Sequence, residues 1–216
     1  MRLGIVCGLR SEKAALGPIE HPVMISGADA ARAYDHAVAL ADGGAECLVS
    51  IGLAGAIEAG LRAGDLLLPE TVLDEGGHAF RTHPLSQDLP RPAKGAPILG
   101  VDRVITSSQE KAALAETFGA ASVDMESHVV ARAAAERHLP FYVVRAVADP
   151  ASQGLPPAAH GAIRRDGSID TWKTVTQLAK RPQDLGPLIA LGRQSAQAHE
   201  TLRSDGRAIL DAIARA

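Results

Sequence analysis

Apolar runs with the character of strands alternate along this chain with runs of helical period. That alternation limits the fold to a mostly parallel sheet carrying helices on its faces. Residues 3–7, 22–26, 47–51, 65–72, 97–101, 121–123 and 141–147 are the strand candidates, and 141–147 is the clearest buried one. Pro69 cannot donate to a ladder, so it marks a bulge or an edge within 65–72. One helix opens at Ser26 or Asp29, runs through Tyr34, Ala37 and Leu40, and stops at Gly43 and Gly44. Ser107 and Glu110 have the spacing of a capping box, and the helix they open ends at Gly119. A third helix spans 126–138, with Val129, Val130, Ala133 and Ala134 inward and Pro140 closing it. Residues 74–96 read as a long loop or an irregular hairpin. After Pro150 the pattern changes: 150–168 is loop-like and rich in Pro and Gly, and 184–215 is mostly helical. Leu185, Leu188, Ile189, Leu191, Leu202, Ile209, Leu210 and Ile213 supply the apolar face of that last stretch. No internal repeat is present, so 1–216 reads as a single domain, with 150–216 a variable loop followed by C-terminal helices.

Composition narrows the function classes. The chain has 216 residues, room for one α/β domain with a full core. Its 22 basic and 25 acidic residues leave a net charge of −3, no basic tract stands out, and aromatics are only 3%, so a nucleic-acid partner is not expected. Cys7 and Cys47 lie in apolar, strand-like runs and read as buried free thiols, which suit a reducing cytoplasm. Residues 1–8 read as a first buried strand ending at Gly8, not as a secretory leader. No apolar run has the length of a membrane span; the best candidate, 47–61, carries Glu58.

Two acidic residues carry the chemistry. Asp149 stands where the 141–147 strand runs out, and Glu126 where a short strand hands over to a helix. Strand ends are where open α/β sheets place ligands. Asp149 is either a general acid or a turn cap, and Glu126 either a bidentate acceptor for two neighbouring hydroxyls or a partner of the helix dipole. Arg145 interrupts an apolar strand, so it must be paired, and four residues on along a strand it shares a face with Asp149. The small residues of Gly52-Leu53-Ala54-Gly55 follow a strand and admit close backbone approach, as a turn. Arg10 and Glu12 follow the first strand through Gly8. His78 and His83 share the 74–96 loop and read as solvated; no metal-ligand spacing, nucleophile elbow or phosphate-binding loop is present.

Taken in order, Gly8-x-x-x-Glu12, Ile25-Ser26-Gly27, Gly52-Leu53-Ala54-Gly55 with Gly64-Asp65, Val123-Asp124-Met125-Glu126-Ser127 and Arg145-Ala-Val-Ala-Asp149 resemble the purine nucleoside phosphorylase / methylthioadenosine nucleosidase superfamily over residues 1–150. The resemblance implies a three-layer α/β/α fold with a twisted mixed central sheet and a helical C-terminal extension. It also implies that Asp149 protonates purine N7, that Glu126 accepts the ribose 2′ and 3′ hydroxyls with Met125 against the sugar, and that Leu53, Ala54 and Gly55 line the ligand. Val104 and Ile105 fall where the family lines its purine pocket, Val104 in place of a phenylalanine. Phosphorylases hold phosphate with an arginine and a serine at positions that here carry Ser50 and Leu53, and Arg10 offers one contact. Nucleosidases activate water with the second of two adjacent glutamates. The strict match falls on Lys13, and Glu12 serves if the loop shifts by one residue.

Hydrolysis is thus the expected chemistry. Phosphorolysis, with phosphate as co-substrate, and a non-catalytic nucleoside-binding protein are the alternatives. No cofactor or metal is implied. Leu155-Pro156-Pro157, Asp166-Gly167 and the helical tail resemble the hopanoid-biosynthesis branch, which implies adenine release from adenosylhopane, a lipid-linked nucleoside, by a homo-oligomer. The short stretch between the first two strands predicts an open ribose 5′ side, with 150–163 as an apolar wall.

Overall fold

A computed structural model of the protein describes residues 1–85 and 95–216. The strands are β1 (Leu3–Cys7), β2 (Val23–Ile25), β3 (Cys47–Ala56), β4 (Leu66–Leu67), β5 (Thr71–Asp74), β6 (Ala79–Arg81), β7 (Ile98–Gly100), β8 (Ser122–Asp124) and β9 (Phe141–Asp149). The helices are α1 (Arg10–Leu16), α2 (Ala30–Asp42), α3 (Ser108–Phe118), α4 (Ser127–Glu136), α5 (Thr171–Lys180), α6 (Leu185–Thr201) and α7 (Arg207–Arg215). All the strands join one sheet in the order β2-β1-β3-β8-β7-β5-β6, and β9 branches from β3 to carry β4. The β1–β2, β1–β3, β3–β9, β5–β7 and β7–β8 pairs are parallel, whereas β3–β8, β4–β9 and β5–β6 are antiparallel. The sheet is therefore mixed, as expected.

Period-two alternation along the central strands builds the three layers. Leu3, Ile5 and Cys7 of β1, Val49 and Ile51 of β3 and Val144 of β9 face one side. There they meet Ala15 and Leu16 of α1, Ala198 of α6, and Ile209, Leu210 and Ile213 of α7. Val6, Leu48 and Val143 face the other side and meet Ala33, Ala37 and Leu40 of α2 and Val129, Val130, Ala133 and Ala134 of α4. Cys7 and Cys47 are free and buried in the first of these layers.

Several elements depart from expectation for identifiable reasons. Gly52 to Gly55 is not a turn: β3 runs through it to Ala56, because β9 and β8 supply ladder partners to both sides. The 65–72 run splits into β4 and β5 around Pro69, whose carbonyl accepts the Thr82 hydroxyl at 2.7 Å. The expected irregular hairpin forms between β5 and β6, and of the 74–96 stretch residues 86–94 lie outside the described residues. Ser107 caps α3 by accepting the Glu110 N–H at 3.1 Å, but the Glu110 carboxylate turns to Arg103 at 2.9 Å, so only half of the capping box forms. Helix α5 falls in a stretch for which no element was expected, and it buries no residue. Leu185 and Ile189, read as part of an inward face, are exposed at the start of α6. Ala198, Leu202, Ile209, Leu210 and Ile213 form the inward face instead.

Candidate active site

The ends of β1, β3, β8 and β9 converge. Glu12 comes from the first turn of α1, which starts two residues after Gly8; the helical period turns Glu12, Ala15 and Leu16 inward and Lys13 out to solvent. Glu12 Oε2 accepts the N–H groups of Gly8 and Leu9, each at 2.8 Å, and Oε1 accepts the N–H of Leu53 at 2.8 Å. Reaching back to the N-cap N–H is the third-position half of a capping box, here used to lock a carboxylate across β1 and β3. The fit leaves no room for a side chain beneath it: a Cβ on Gly52 would stand 2.7 Å from Glu12 Oε1. The strict family match to Lys13 is therefore not what the fold delivers; Glu12 occupies the site. Burial raises the Glu12 pKa, against the opposing pull of Arg145 and the three backbone donors.

Glu126 is the N-cap residue of α4 and points to the same spot. A Cβ on Gly8 would lie 2.7 Å from Glu126 Oε1 and 3.4 Å from Glu12 Oε2, so both carboxyl groups converge over Gly8. The Ser26 hydroxyl donates to Glu126 Oε1 at 3.3 Å. Behind them, fully buried Arg145 donates from Nε to Asp124 at 2.7 Å and from Nη2 to the Ser50 hydroxyl at 2.6 Å, with Glu126 Oε2 at 3.7 Å. Asp124 in turn accepts the Ser127 hydroxyl at 2.6 Å and the Ser127 N–H at 3.2 Å, tying the start of α4 to β8. Three carboxyl groups thus surround one guanidinium. Burial and then the Asp124 charge push the Glu126 pKa up to about 8, with Arg145 pulling the other way.

Asp149 stands apart from this cluster. The expectation that Arg145 holds it fails because β9 carries a bulge. Ala54 pairs with Val147 but Gly55 pairs with Asp149, so Ala148 is an extra residue and the faces switch past it. Asp149 lies over Gly55 instead, its Oδ1 3.4 Å from where a Cβ would be. Its partner is Lys111 of α3, buried at 2% exposure, whose ammonium group hydrogen-bonds Oδ2 and donates to the Pro150 carbonyl at 3.0 Å. Burial raises the Asp149 pKa and Lys111 opposes the rise. The sequence reading missed Lys111; the available signal was its i, i+3 spacing to Leu114, the other buried residue of α3. Gly52, under Glu12, and Gly55, beside Asp149, are three residue steps apart along β3, a span of about 10 Å.

The remaining predicted residues divide. Leu53, Ala54 and Gly55 form the stretch of β3 between the two stations, and Met125 adjoins a buried cluster that includes Ile105, Leu99 and Val123. Val104 is 46% exposed. Arg10 does not reach the carboxyl cluster: its side chain is exposed, 2.9 Å from Asp166, and donates to the Asp166 carbonyl at 3.0 Å. His78 is exposed and paired with Asp74 at 2.9 Å, and among the described residues no His, Cys, Asp or Glu cluster is arranged for a metal.

A strap crosses the site mouth. Leu155 N–H bonds the Thr106 carbonyl at 2.9 Å, Pro156 and Ala158 are buried, and the Arg10 N–H bonds the Gly167 carbonyl at 3.0 Å. Arg32 fastens the same strap through the carbonyls of Arg165 and Ser26. Within 150–163, Pro156, Ala158 and Ala162 are buried and Ile163 is exposed, and the edge beside Gly8, expected open, is covered by 164–168, Gly167 lying against the Gly8 carbonyl.

A family model described as the phosphorylase superfamily matches residues 78–181. That span holds Val104, Ile105, Lys111, Met125, Glu126, Arg145 and Asp149 and leaves out Glu12 and the β3 residues. The chain is similar in fold to a futalosine hydrolase mutant of Helicobacter pylori strain 26695, with a TM-score of 0.66 and 15% identity over 94% of this chain and 97% of that one. It is also similar to a 5′-methylthioadenosine/S-adenosylhomocysteine nucleosidase from Colwellia psychrerythraea 34H in complex with adenine, with a TM-score of 0.63 and 21% identity over 82% and 96%. A third similar structure is an S-adenosylhomocysteine nucleosidase from Streptococcus pyogenes, with a TM-score of 0.62 and 18% identity over 94% and 96%. No curated protein matches the chain.

Proposed function

We propose that the chain is a member of the phosphorylase superfamily, whose model matches residues 78–181, and that it hydrolyses the N-glycosidic bond of a purine nucleoside. The observation that carries the reading is the separation of two stations along β3, an acid-rich one at Gly52 and a single acid at Gly55. Asp149 gives its proton to N7 of the purine as the C1′–N9 bond breaks and the electron pair moves onto the base. Glu126 accepts the ribose 2′ and 3′ hydroxyls, and the excess of carboxyl groups there favours the cationic sugar of the transition state. Glu12, with three of its lone-pair positions filled by N–H groups, keeps one on Oε1 to take the proton of the attacking water.

The same geometry favours water over phosphate. The amides of Gly8, Leu9 and Leu53, which a bound oxyanion needs, already serve Glu12, the Ser50 hydroxyl serves Arg145, and Arg10 serves Asp166. Adenine is the base we assign, in keeping with the adenine held by the Colwellia nucleosidase. A 5′-substituted adenosine such as adenosylhopane is the substrate assigned from the sequence resemblance of the tail. Its bulky group requires the 164–168 strap to lift. The chemistry needs no cofactor, and a homo-oligomer in the cytoplasm is the assembly that goes with the reading.

The test is release of free adenine from adenosine, 5′-methylthioadenosine and adenosylhopane, followed by chromatography with and without phosphate. Adenine and a free sugar in phosphate-free buffer are expected. A sugar 1-phosphate formed only with phosphate would establish phosphorolysis, and no base release from any of the three would leave a nucleoside-binding protein.

A further inference from the structure

Helix α5 turns an apolar stripe to solvent. Trp172, Val175 and Ala179 recur at i, i+3 and i+7, the spacing of one helical stripe. In a helix that packs on a core this stripe faces inward, yet here Trp172 is 73% and Val175 55% exposed, and α5 buries no residue. The side turned to the protein carries Thr174, Gln177 and Leu178, all half-buried, and Gln177 donates to the His160 carbonyl at 3.5 Å. The apolar character continues into the next element, where Leu185 and Ile189 at the start of α6 are also about half exposed.

The charge around this face has one sign left over. Between residues 160 and 196 the acidic groups are Asp166, Asp170 and Asp184. Asp166 pairs with Arg10, Asp170 caps α5 and pairs with Arg164, and Asp184 accepts the Ala158 N–H and lies near Arg181. Arg165, Lys180 and Arg193 are exposed and have no carboxylate partner among the described residues; Lys173 is exposed too, its ammonium group donating to the Gly161 carbonyl at 2.9 Å. A lysine-flanked stripe is a poor core for contact with a second copy, since such cores are depleted in lysine and two-fold symmetry sets like charges face to face. An apolar stripe led by tryptophan and bordered by basic side chains matches the interface of an anionic bilayer, which takes apolar groups at its acyl boundary and cations at its headgroups.

We propose that α5, with the start of α6, docks this protein on the surface of an anionic lipid bilayer. The strap over the site mouth runs directly into α5, so the docked face and the mouth belong to one segment. The inference stands on the helix face and does not rest on the reaction assigned above.

Trp172 is the single tryptophan of the chain, so its emission reports the docking directly. Full-length protein is mixed with vesicles of phosphatidylglycerol and phosphatidylcholine, and separately with vesicles of phosphatidylcholine alone. A blue shift of Trp172 emission and co-sedimentation with the anionic vesicles, both weakened by salt, are expected. Val175→Asp lowers the partition coefficient by about tenfold or more, as expected for a valine withdrawn from an apolar phase. Lys180→Glu lowers it on the anionic vesicles. Both variants release adenine from a water-soluble nucleoside at the parental rate, so a failure of the reaction assignment and a failure of docking read out separately. No shift with anionic vesicles, or an equal shift with neutral ones, overturns the proposal. So does a vesicle-free blue shift that grows with protein concentration alongside a dimer mass in sedimentation, which assigns the face to a second copy.

Discussion

Glu126 and Asp149 both stand at strand ends and both are drawn toward the protonated form by burial, yet they are held in opposite ways. Glu126 shares one guanidinium with Glu12 and Asp124, so acidic groups outnumber basic ones around it. Asp149 faces one ammonium group in a one-to-one pair and keeps a quarter of its side chain exposed. An acid-rich cluster lowers the energy of a positive charge placed nearby, and a balanced pair can move a proton without leaving a bare charge behind. In the proposed reaction the first arrangement suits the sugar and the second the base.

The largest break in that comparison is expected from Asp149→Asn, which removes the transferable proton. Turnover should fall by about 10²–10⁴-fold with the melting temperature little changed, measured by adenine release and calorimetry. Next is Gly52→Ala, which alters no reacting group but drives a methyl into the 2.7 Å gap below Glu12. A loss of about tenfold to a hundredfold in kcat with KM conserved is expected; unchanged kinetics would remove Glu12 from the water-activating role.

Glu126→Gln sharpens the comparison through stability. The folded pKa of Glu126, about 8, lies above its ordinary 4.5. The folded state therefore binds more protons in this interval, and the stability from the protonated group is full below pH 4.5 and lost as the pH rises through about 8. Thermal melts of the parent should fall across that window while those of the variant stay flatter; parallel curves would show that Glu126 does not titrate there. The smallest effect is expected from Lys111→Met. Lys111 opposes the raised pKa of Asp149, so its loss should move the alkaline limb of kcat/KM to higher pH. An unmoved limb would mean that the limb reports another group.

Much of this was legible in the chain. The run 141–147 and the helix after Glu126 announce β9 and α4, and Glu126 and Asp149 stand at strand ends as their neighbours require. Pairing was not legible, because register is a property of two strands. Only the β3–β9 ladder reveals that Ala148 bulges, and with it that Arg145 serves Asp124 and not Asp149. Lys111 was hidden for a related reason, since nothing local shows which helix face a distant carboxyl will meet. Helix α5 escaped because its apolar stripe obeys helical period without obeying the usual inward rule. Whether Glu12 or Lys13 enters the site was decided by where α1 begins, a boundary of one residue.

One strand segment has a role beyond carrying ligands. From Gly52 to Gly55, β3 acts as a gauge block, its length set by covalent bonds and not by side-chain packing. The two stations are fixed to its ends, so their spacing resists substitutions elsewhere in the molecule. Variation in what the site accepts is then confined to the parts not tied to the gauge: the strap, the loop at Val104 and the helix beyond.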